Sequence, residues 1–473
     1  MITKGEKNMK LNLFDKLFEI KDKNYTRFHM PGHKGRISKL FPENFLDFDT
    51  TEIFETDNLY NPKGVILKLL NDLKSIYNTK KSFISLNGST GSIISSIYAL
   101  CKEKDEILIQ RNSHLSVYNA TIIRRLKINY IYPEISDNSY KIDEKELENI
   151  LILNKNIKLA VFTSPDYYGR VLNIEKIVEI CHKFKVKVLI DEAHGSHFKF
   201  LNSGIKSALE YGADVVINSL HKTLPALNQT SLIHINSKEI DSERFERGLK
   251  LFQSTSPSYI LMMSIEKALN YMTSEEGVKK IREVCFMIED FKKRCEKLTS
   301  LEFLKTKSKD PFKLVFKMTN LENRILYDIL HEEFKIDMEM FDVNYIVGIC
   351  SVFDEQKDCD LLFFALEEID NRYKKCKKLT SKIVKTSSAE TEMQIYETFD
   401  LDFEICKLKD SCGEISADFI TFYPPGSPVL VPGEVISERI IEEIEQNKKN
   451  EVEIIGLVGY NKDEIRIFKK ENL

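Results

Sequence analysis

The sequence predicts an α/β fold with a mostly parallel central sheet, followed by smaller C-terminal α+β domains. Three observations support this prediction. From about residue 80 to 235, short strand-like runs alternate with helix-like segments, which is the pattern of βαβ units. The strand-like runs are almost continuously apolar, as expected for parallel strands that are buried on both faces. Beyond about residue 275 the chain is more charged and richer in helix-like segments.

Five strands are predicted in the first of these regions. In chain order they are "KSFISL" (81–86), "DEILIQ" (105–110), "IKLAVFTS" (157–164), "VKVLID" (186–191) and "ADVVINS" (213–219). Amphipathic stretches such as "IEKIVEICHKF" (174–184) lie between several of them. Ligands bind outside the carboxyl ends of the strands in an open parallel sheet, so the residues that follow these strands are candidates for a functional site.

Shifts in composition divide the chain into four predicted units. They are an N-terminal segment (1–60), a large domain (61–275), a small α/β domain (276–375) and a C-terminal domain (376–473). A polar, basic stretch at 371–394 marks the last boundary. The proline- and glycine-rich stretch at 417–436 carries too many apolar residues for a disordered linker.

Charge and cysteine content exclude several classes of protein. The 473 residues include 69 Lys and Arg against 73 Asp and Glu, a net charge of -4, so nothing favours a nucleic-acid or anionic-membrane partner. The N-terminus lacks the apolar core of a signal peptide, and no apolar run is long enough to span a bilayer. The nine cysteines are scattered without a CxxC pair, which is typical of reduced thiols. We therefore expect a cytoplasmic protein.

The first two strand ends carry candidate cofactor ligands. The first predicted strand runs into Gly88, Ser89, Thr90 and Gly91 and then into a helix. Glycines, hydroxyls and the N–H groups of a helix N-terminus suit a phosphate, although an ordinary capped turn has the same composition. His114 follows the second strand. There it either makes a structural hydrogen bond or stacks its ring on an aromatic cofactor.

Two later strand ends carry an acid and a lysine. Asp191 ends an apolar run and needs a cationic partner if it is buried. His194 and His197 follow it, so a metal site is an alternative, but no further ligand cluster supports that alternative. Ser219, His221 and Lys222 follow "DVVIN" (214–218). Lys222 lies 31 residues after Asp191, which leaves room for one crossover helix.

Together these residues match the needs of pyridoxal 5′-phosphate (PLP). That cofactor requires a lysine for its Schiff base, an acid beside its pyridine nitrogen and an anion site for its phosphate. Lys222, Asp191 and the Gly88–Gly91 turn meet these three needs, and His114 would cover one face of the ring. No metal ion is required in this interpretation.

The sequence resembles the ornithine/lysine/arginine decarboxylases of the aspartate-aminotransferase fold (fold type I), in their short bacterial form. The likeness runs nearly end to end. It includes "RFHMPGHKGR", "TEIFETDNLYNPKGVI", "NGSTGS", "RNSHLS", "SPDYYG", "DEAHGSHFKF", "SLHKTLPALNQTS", "QSTSPSYILMMSIEKA" and "FYPPGSPVLVPGE". Larger forms of the family carry an additional N-terminal domain, which we do not expect in a chain that reaches "MPGHKG" at residue 30.

The resemblance implies PLP-dependent decarboxylation of arginine, lysine or ornithine, a function in polyamine biosynthesis, and the roles of individual residues. Lys222 would form the Schiff base, Asp191 would contact the pyridine nitrogen, His114 would stack on the ring and His194 would lie beside it. The phosphate would be held by Ser89, Thr90, Ser219 and His221. The family builds its site at a dimer interface, so we expect at least a homodimer with "QSTSPSY" (253–259) near the partner.

Some positions depart from the family pattern. Leu115 stands where lysine is frequent, and Asn228 where threonine is frequent. Asp166 and Arg170 stand where a small or amide residue and an apolar residue are usual. These departures leave the cofactor set intact but bear on the substrate.

The substrate pocket and the exact reaction are less determined. A basic substrate needs an acid for its distal cation, and the candidates are Asp57, Asp166, Glu414 and Glu434. Lys222 or His194 would reprotonate the substrate carbon after carbon dioxide leaves. The alternatives are another fold-type-I enzyme such as an aminotransferase, for which no arginine clamp is evident, and a catalytically idle regulatory relative, which the retained Lys222 and Asp191 argue against.

Overall fold

The structure of the protein is a computed structural model. It describes residues 23, 25–34, 36, 48–53, 55–202, 204–306, 309–379, 389–423, 426–449 and 451–468. Within these ranges no helix has both the length and the apolar character needed to cross a membrane.

The large sheet has seven strands in the order β2-β10-β9-β8-β7-β3-β4. The strands up to residue 235 are β1 (Thr26–Phe28), β2 (Lys81–Ser85), β3 (Glu106–Gln110), β4 (Lys127–Ile131), β5 (Glu134–Ile135), β6 (Tyr140–Lys141), β7 (Ile157–Thr163), β8 (Lys187–Asp191), β9 (Val215–Ser219) and β10 (Ser231–Ile235). Only β10 runs antiparallel to its two neighbours in this sheet. All five predicted strands are present, and the predicted mostly parallel sheet is confirmed.

Helices alternate with the strands of this sheet and continue beyond them along the chain. They are α1 (Val65–Tyr77), α2 (Gly88–Leu100), α3 (Leu115–Arg124), α4 (Glu144–Leu153), α5 (Ile174–Lys183), α6 (Leu220–Thr223), α7 (Ser242–Lys250), α8 (Tyr259–Thr273) and α9 (Glu275–Cys295). In α5 the Asn173 side chain accepts a hydrogen bond from the N–H of Lys176 and caps the helix start, and Ile177 and Cys181 face the core.

The strand sequences are apolar throughout because each face of the sheet has its own core. In β8, Val188 and Ile190 belong to one buried cluster. Leu189, which points the opposite way, belongs to another. Successive side chains of a strand alternate between faces, so a strand buried on both faces loses the polar alternation of a half-exposed one.

A second, antiparallel sheet of four strands follows in the order β11-β12-β15-β14. Its region contains β11 (Leu301–Phe303), β12 (Lys313–Met318), α10 (Asn323–Glu332), β13 (Ile336–Met338), β14 (Met340–Phe341), β15 (Ile346–Ile349) and α11 (Gln356–Tyr373). Strand β1 pairs in parallel with β13, so residues 26–28 are attached to this later region.

The last part of the chain forms two three-stranded sheets, β16-β21-β17 and β19-β18-β20. The elements are β16 (Glu404–Lys407), β17 (Ile415–Ser416), β18 (Ile420–Tyr423), β19 (Pro428–Leu430), α12 (Glu438–Lys449), β20 (Glu453–Ile455) and β21 (Glu464–Phe468). They enclose a separate apolar cluster that includes Ile420, Leu430, Ile444 and Ile465. The α/β central region and the α+β character of the later parts match the expected fold class. The predicted domain boundaries stay predictions.

Candidate active site

Lys222 lies in the short helix α6, one turn after β9, where its amine contacts a histidine. The distance from its Nζ to Nε2 of His194 is 3.1 Å. Burial lowers the pKa of Lys222, while the carboxylates of Asp191 and Glu339 oppose that shift. Desolvation disfavours the ammonium form, so the free amine, which is the form that attacks a carbonyl carbon, is easier to reach here than in water.

Asp191 and His114 lie near this lysine at neighbouring strand ends. Asp191 is the last residue of β8 and is 4% exposed, and its Oδ1 accepts a hydrogen bond from the N–H of Ala193 at 3.1 Å. The Nδ1 of His114 accepts from the N–H of Ser116 at 3.1 Å and so caps α3. Both His114 and Asp191 are within electrostatic range of Lys222. The sheet therefore brings together the predicted acid Asp191, the predicted Schiff-base residue Lys222 and the His114 ring.

The predicted phosphate end of the site is formed by the start of α2 and the end of β9. Ser89 and Thr90 lie in the first turn of α2, and no side chain caps that helix start. Gly88 adopts a φ of 62°, and its N–H donates to the carbonyl of Gln229 at 2.9 Å. The Ser219 hydroxyl is buried and has no hydrogen-bond partner among the described residues. An unpaired buried hydroxyl costs free energy, and a phosphate oxygen would pair with it.

His221 and Gly32 lie together beside residues 220–226, the short helix and loop that carry Lys222 (the lysine loop). The Nδ1 of His221 is 3.1 Å from the carbonyl oxygen of Thr230, and burial followed by the Lys222 charge lowers the pKa of His221 to about 4. The N–H of Gly32 donates to the His221 carbonyl at 2.8 Å. A Cβ at Gly32 would lie 2.7 Å from the carbonyl oxygen of Leu224, so only glycine fits here.

Three residues that the sequence did not predict complete the surroundings of His194. The Nζ of Lys313 lies 3.1 Å from Nδ1 of His194, and the Tyr167 ring packs edge-on against the His194 ring at 4.7 Å. The Tyr167 hydroxyl bonds to Glu339, which also accepts from the N–H of Met30 at 2.8 Å. One feature of the sequence could have drawn attention to Lys313: it directly precedes the apolar residues of "KLVF" (313–316). A lysine in such a run is a candidate for a functional residue, since buried lysines are rare.

The candidate acids for a distal cation already have partners. Asp166 accepts from Nε of Arg170 at 2.7 Å. Asp57 accepts from the backbone N–H groups of Lys63 and Gly64 at the start of α1, and although burial opposes the shift, these bonds lower the pKa of Asp57 to about 2.

The other two acids lie in the C-terminal region. The Glu434 carboxylate is fully buried and pairs with Nη2 of Arg111 at 2.9 Å. Arg111 also donates to the carbonyls of Pro428 and Val429, so this pair attaches the C-terminal region to the loop that carries His114. Glu414 is half-buried. Whether any of these four acids contacts a substrate stays a prediction.

His197, which with Asp191 and His194 suggested a metal alternative, has a different partner. Its Nε2 is 2.7 Å from Oδ1 of Asp310, and both side chains are fully buried. The described residues contain no group of three His, Cys, Asp or Glu side chains that could hold a metal ion.

Comparison with known proteins links this arrangement to one family. Residues 12–324 match the family described as "Orn/Lys/Arg decarboxylase, major domain", and residues 373–452 match "Orn/Lys/Arg decarboxylase, C-terminal domain". The arginine decarboxylase of Bacillus subtilis (strain 168) is 29% identical over 468 residues, which cover 94% of this chain and 95% of that protein. Lysine decarboxylase LdcA of Pseudomonas aeruginosa is 24% identical over 55% of this chain and 39% of its own length.

Solved structures show the same fold. The Francisella novicida lysine decarboxylase LdcF superposes with a TM-score of 0.79 at 19% identity, covering 92% of this chain and 76% of that one. The alanine–glyoxylate aminotransferase of Nostoc sp. superposes with a TM-score of 0.56 at 14% identity, covering 72% and 94%. The expected fold-type-I architecture and the resemblance stated from the sequence are thereby confirmed.

Proposed function

Because this chain belongs to the Orn/Lys/Arg decarboxylase family, we propose that it is a PLP-dependent enzyme that converts arginine, lysine or ornithine to its amine and carbon dioxide. One observation carries the proposal: a lysine amine of lowered pKa lies among a buried aspartate and two histidines at the carboxyl edge of a parallel sheet. Relatives named arginine, lysine and ornithine decarboxylase support a basic amino acid as the substrate.

The residues present fit the cofactor. The unpaired Ser219 hydroxyl and the uncapped start of α2 would hold the phosphate with Ser89, Thr90, Gly91 and His221, since helix N-termini favour anions. Asp191 would hold the proton on the pyridine nitrogen, and the His114 ring would stack on the cofactor face. When bound, PLP supplies an electron sink for the bond that breaks at the substrate carbon.

The protein groups then have separable tasks. Lys222 would attach the cofactor through its side-chain nitrogen, and once the substrate amine has replaced it the freed Lys222 amine could carry a proton. His194, which burial and the neighbouring lysines keep neutral by lowering its pKa well below the ordinary value, lies against Lys222 and moves protons to and from it. The Tyr167 ring, which packs edge-on against His194, would help to exclude water from this side of the histidine.

We also propose that the active enzyme is at least a homodimer. The segment 253–259 is held on one side by a hydrogen bond from the Tyr259 hydroxyl to the Asp57 carbonyl at 2.7 Å, and much of it is exposed. A symmetric dimer is the commonest closed assembly of soluble proteins. Sedimentation at assay concentrations tests this, and full activity in a dilute monomer would contradict it.

Amine release is the decisive assay. The purified protein with added PLP is incubated with arginine, lysine, ornithine and a neutral amino acid, and the amine and carbon dioxide are quantified. We expect release from at least one basic substrate, and none from the Lys222→Ala variant. Borohydride reduction and peptide mapping should place the cofactor label on Lys222. Label on another lysine, or keto-acid formation in place of amine, would contradict the proposal, and the latter would favour an aminotransferase.

A further inference from the structure

The buried side chain of Lys313 enters the site from the second sheet and contacts the histidine that Lys222 contacts. Lys313 opens β12 and is fully buried. Its Nζ is 3.1 Å from Nδ1 of His194, and Nζ of Lys222 is 3.1 Å from Nε2 of the same ring. Two lysine amines are thus joined through the two nitrogens of one imidazole.

Hydrogen-bond chemistry limits the charge of this group. A neutral imidazole has one N–H donor and one acceptor nitrogen, and an ammonium group can only donate. Both contacts to His194 are satisfied together only when at least one of the two lysines is a neutral amine that accepts the ring N–H. The arrangement Lys313 ammonium, His194 with its proton on Nε2, and Lys222 amine satisfies every contact and leaves Lys222 as a nucleophile.

We propose that Lys222, His194 and Lys313 form a proton relay, in which Lys313 stores the proton that each turnover consumes and passes it through the His194 ring to Lys222. This inference rests on the proposed function. Replacing a carboxylate by hydrogen takes up one proton per turnover, and that proton has to be present after the site has excluded water.

The transfer balances in protons and charge. The N–H bond at Lys313 breaks as its proton moves to Nδ1 of His194, and the proton on Nε2 moves to Lys222. Lys222 then delivers it to the carbon that has lost carbon dioxide. After product release, a proton from solvent water enters at Nε2 and the Nδ1 proton returns to Lys313, which restores the starting state.

The surroundings of Lys313 suit a proton store. Burial lowers its pKa to about 8, with nearby carboxylates raising it and Lys222 lowering it further, and a pKa near the working pH favours proton transfer. The Tyr167 ring lies 5.4 Å from its Nζ. The charged groups that face Lys313 or His194 are Asp310, Glu339, Asp166, His114 and His221.

Two substitutions at Lys313 separate proton transfer from charge. Lys313→Met removes both the charge and the proton. Lys313→Arg keeps a positive donor that cannot give up its proton. The relay requires both variants to lose kcat, by about 10²–10⁴-fold on the scale of general acid–base catalysis, with little change in KM. Lys317→Met on the same strand is the matched control, because Lys317 contacts the Tyr345 ring and Glu302 instead, and it should keep kcat.

A second measurement uses the cofactor-free protein. The pH dependence of Lys222 acylation by acetic anhydride, read by peptide mass spectrometry, gives the pKa of Lys222. We expect Lys313→Met to raise that pKa because a neighbouring positive charge is lost, and Lys313→Arg to leave it low. An unchanged pKa in Lys313→Met would overturn the relay even if the wild-type protein released no amine from any substrate, so the two failures are distinguishable.

Other outcomes have definite meanings. Recovery of kcat in Lys313→Arg to within about threefold of wild type would overturn the relay in favour of a purely electrostatic role. A rise in KM alone would make Lys313 a ligand of the substrate carboxylate and also overturn it. In a His194→Gln background the relay is already broken, so adding Lys313→Met should lower kcat by less than a further threefold. A double variant whose loss of kcat equals the product of the two single losses would contradict the relay, because the effects of residues that act as one unit are not additive.

Discussion

The Arg170 guanidinium donates a hydrogen bond from Nε to Oδ2 of Asp166 at 2.7 Å, and both side chains are buried. Asp166 also accepts from the backbone N–H of Arg170 at 2.8 Å. These are the two positions in "SPDYYGR" that depart from the family pattern. The departures are therefore coupled, since each residue supplies the partner that the other needs when buried.

Breaking this pair should destabilise the protein more than replacing it. Arg170→Leu leaves the buried Asp166 carboxylate without its hydrogen-bonded ion-pair partner and should cost about 3–5 kcal/mol of unfolding free energy. The double variant Asp166→Asn/Arg170→Leu resembles the family pattern and should recover most of that loss. Urea unfolding of the two single variants and the double variant measures the coupling. A double variant whose loss equals the sum of the single losses would show that the two side chains do not depend on each other.

Gly32 should be essential for the position of the lysine loop. A Cβ there would lie 2.7 Å from the Leu224 carbonyl oxygen, so Gly32→Ala has to displace either "MPGHKG" or the loop after Lys222. We expect a loss of about 1–3 kcal/mol, the usual cost of overpacking, and weaker cofactor labelling of Lys222. Gly204→Ala is the control, because no heavy atom lies within 4 Å of its added Cβ. Equal labelling in both variants would argue against the close approach.

The sequence predicted the parts of the site that are local in the chain. Asp191 and Lys222 stand directly after apolar runs, and parallel strands bring such ends to one edge. Lys313 and Glu339 could not be found in this way, because their contacts to His194 and Met30 span 119 and 309 residues of sequence. The strand β10 was also missed, although "SLIHI" is as apolar as its neighbours, and it inserts antiparallel between β2 and β9.

Asp191 should affect turnover far more than cofactor binding. Asp191→Asn keeps the size of the side chain but cannot hold a proton on the pyridine nitrogen by its charge. We expect kcat and kcat/KM to fall together by about 10²–10³-fold, the scale for loss of one electrostatic contact in the transition state, while cofactor absorbance remains. Asp214→Asn removes another buried carboxylate, one that contacts His182 and the N–H of Val188; it should lower stability and keep kcat. Equal kcat in Asp191→Asn and wild type would rule out the role.

Glu192, the neighbour of Asp191, should make stability depend on pH. Its carboxylate is buried and accepts from the N–H of Ala208 at 2.6 Å and from Nδ2 of Asn218 at 3.1 Å. Burial raises the pKa of Glu192 from 4.5 to about 7, although these hydrogen bonds oppose the shift. Between those values the folded protein binds more protons at this site than the unfolded chain does. Stability from this residue is therefore greatest below about pH 4.5 and is lost as the pH rises towards 7.

The Glu192→Gln variant tests this sign, because glutamine does not titrate. Urea unfolding is measured at pH 5, 6, 7 and 8. As the pH rises, the unfolding free energy of wild type should fall by about 2–3 kcal/mol relative to that of Glu192→Gln, since a shift of one pKa unit corresponds to about 1.4 kcal/mol. The exposed Glu175 is the control, because it is not among the groups that shift the pKa of Glu192, and the difference in unfolding free energy between wild type and Glu175→Gln should stay flat. The prediction would be wrong if the difference in unfolding free energy between wild type and Glu192→Gln were also independent of pH, or if it changed in the opposite direction. Either result would mean that the folded protein holds this carboxylate ionised, because the hydrogen bonds from Ala208 and Asn218 outweigh burial.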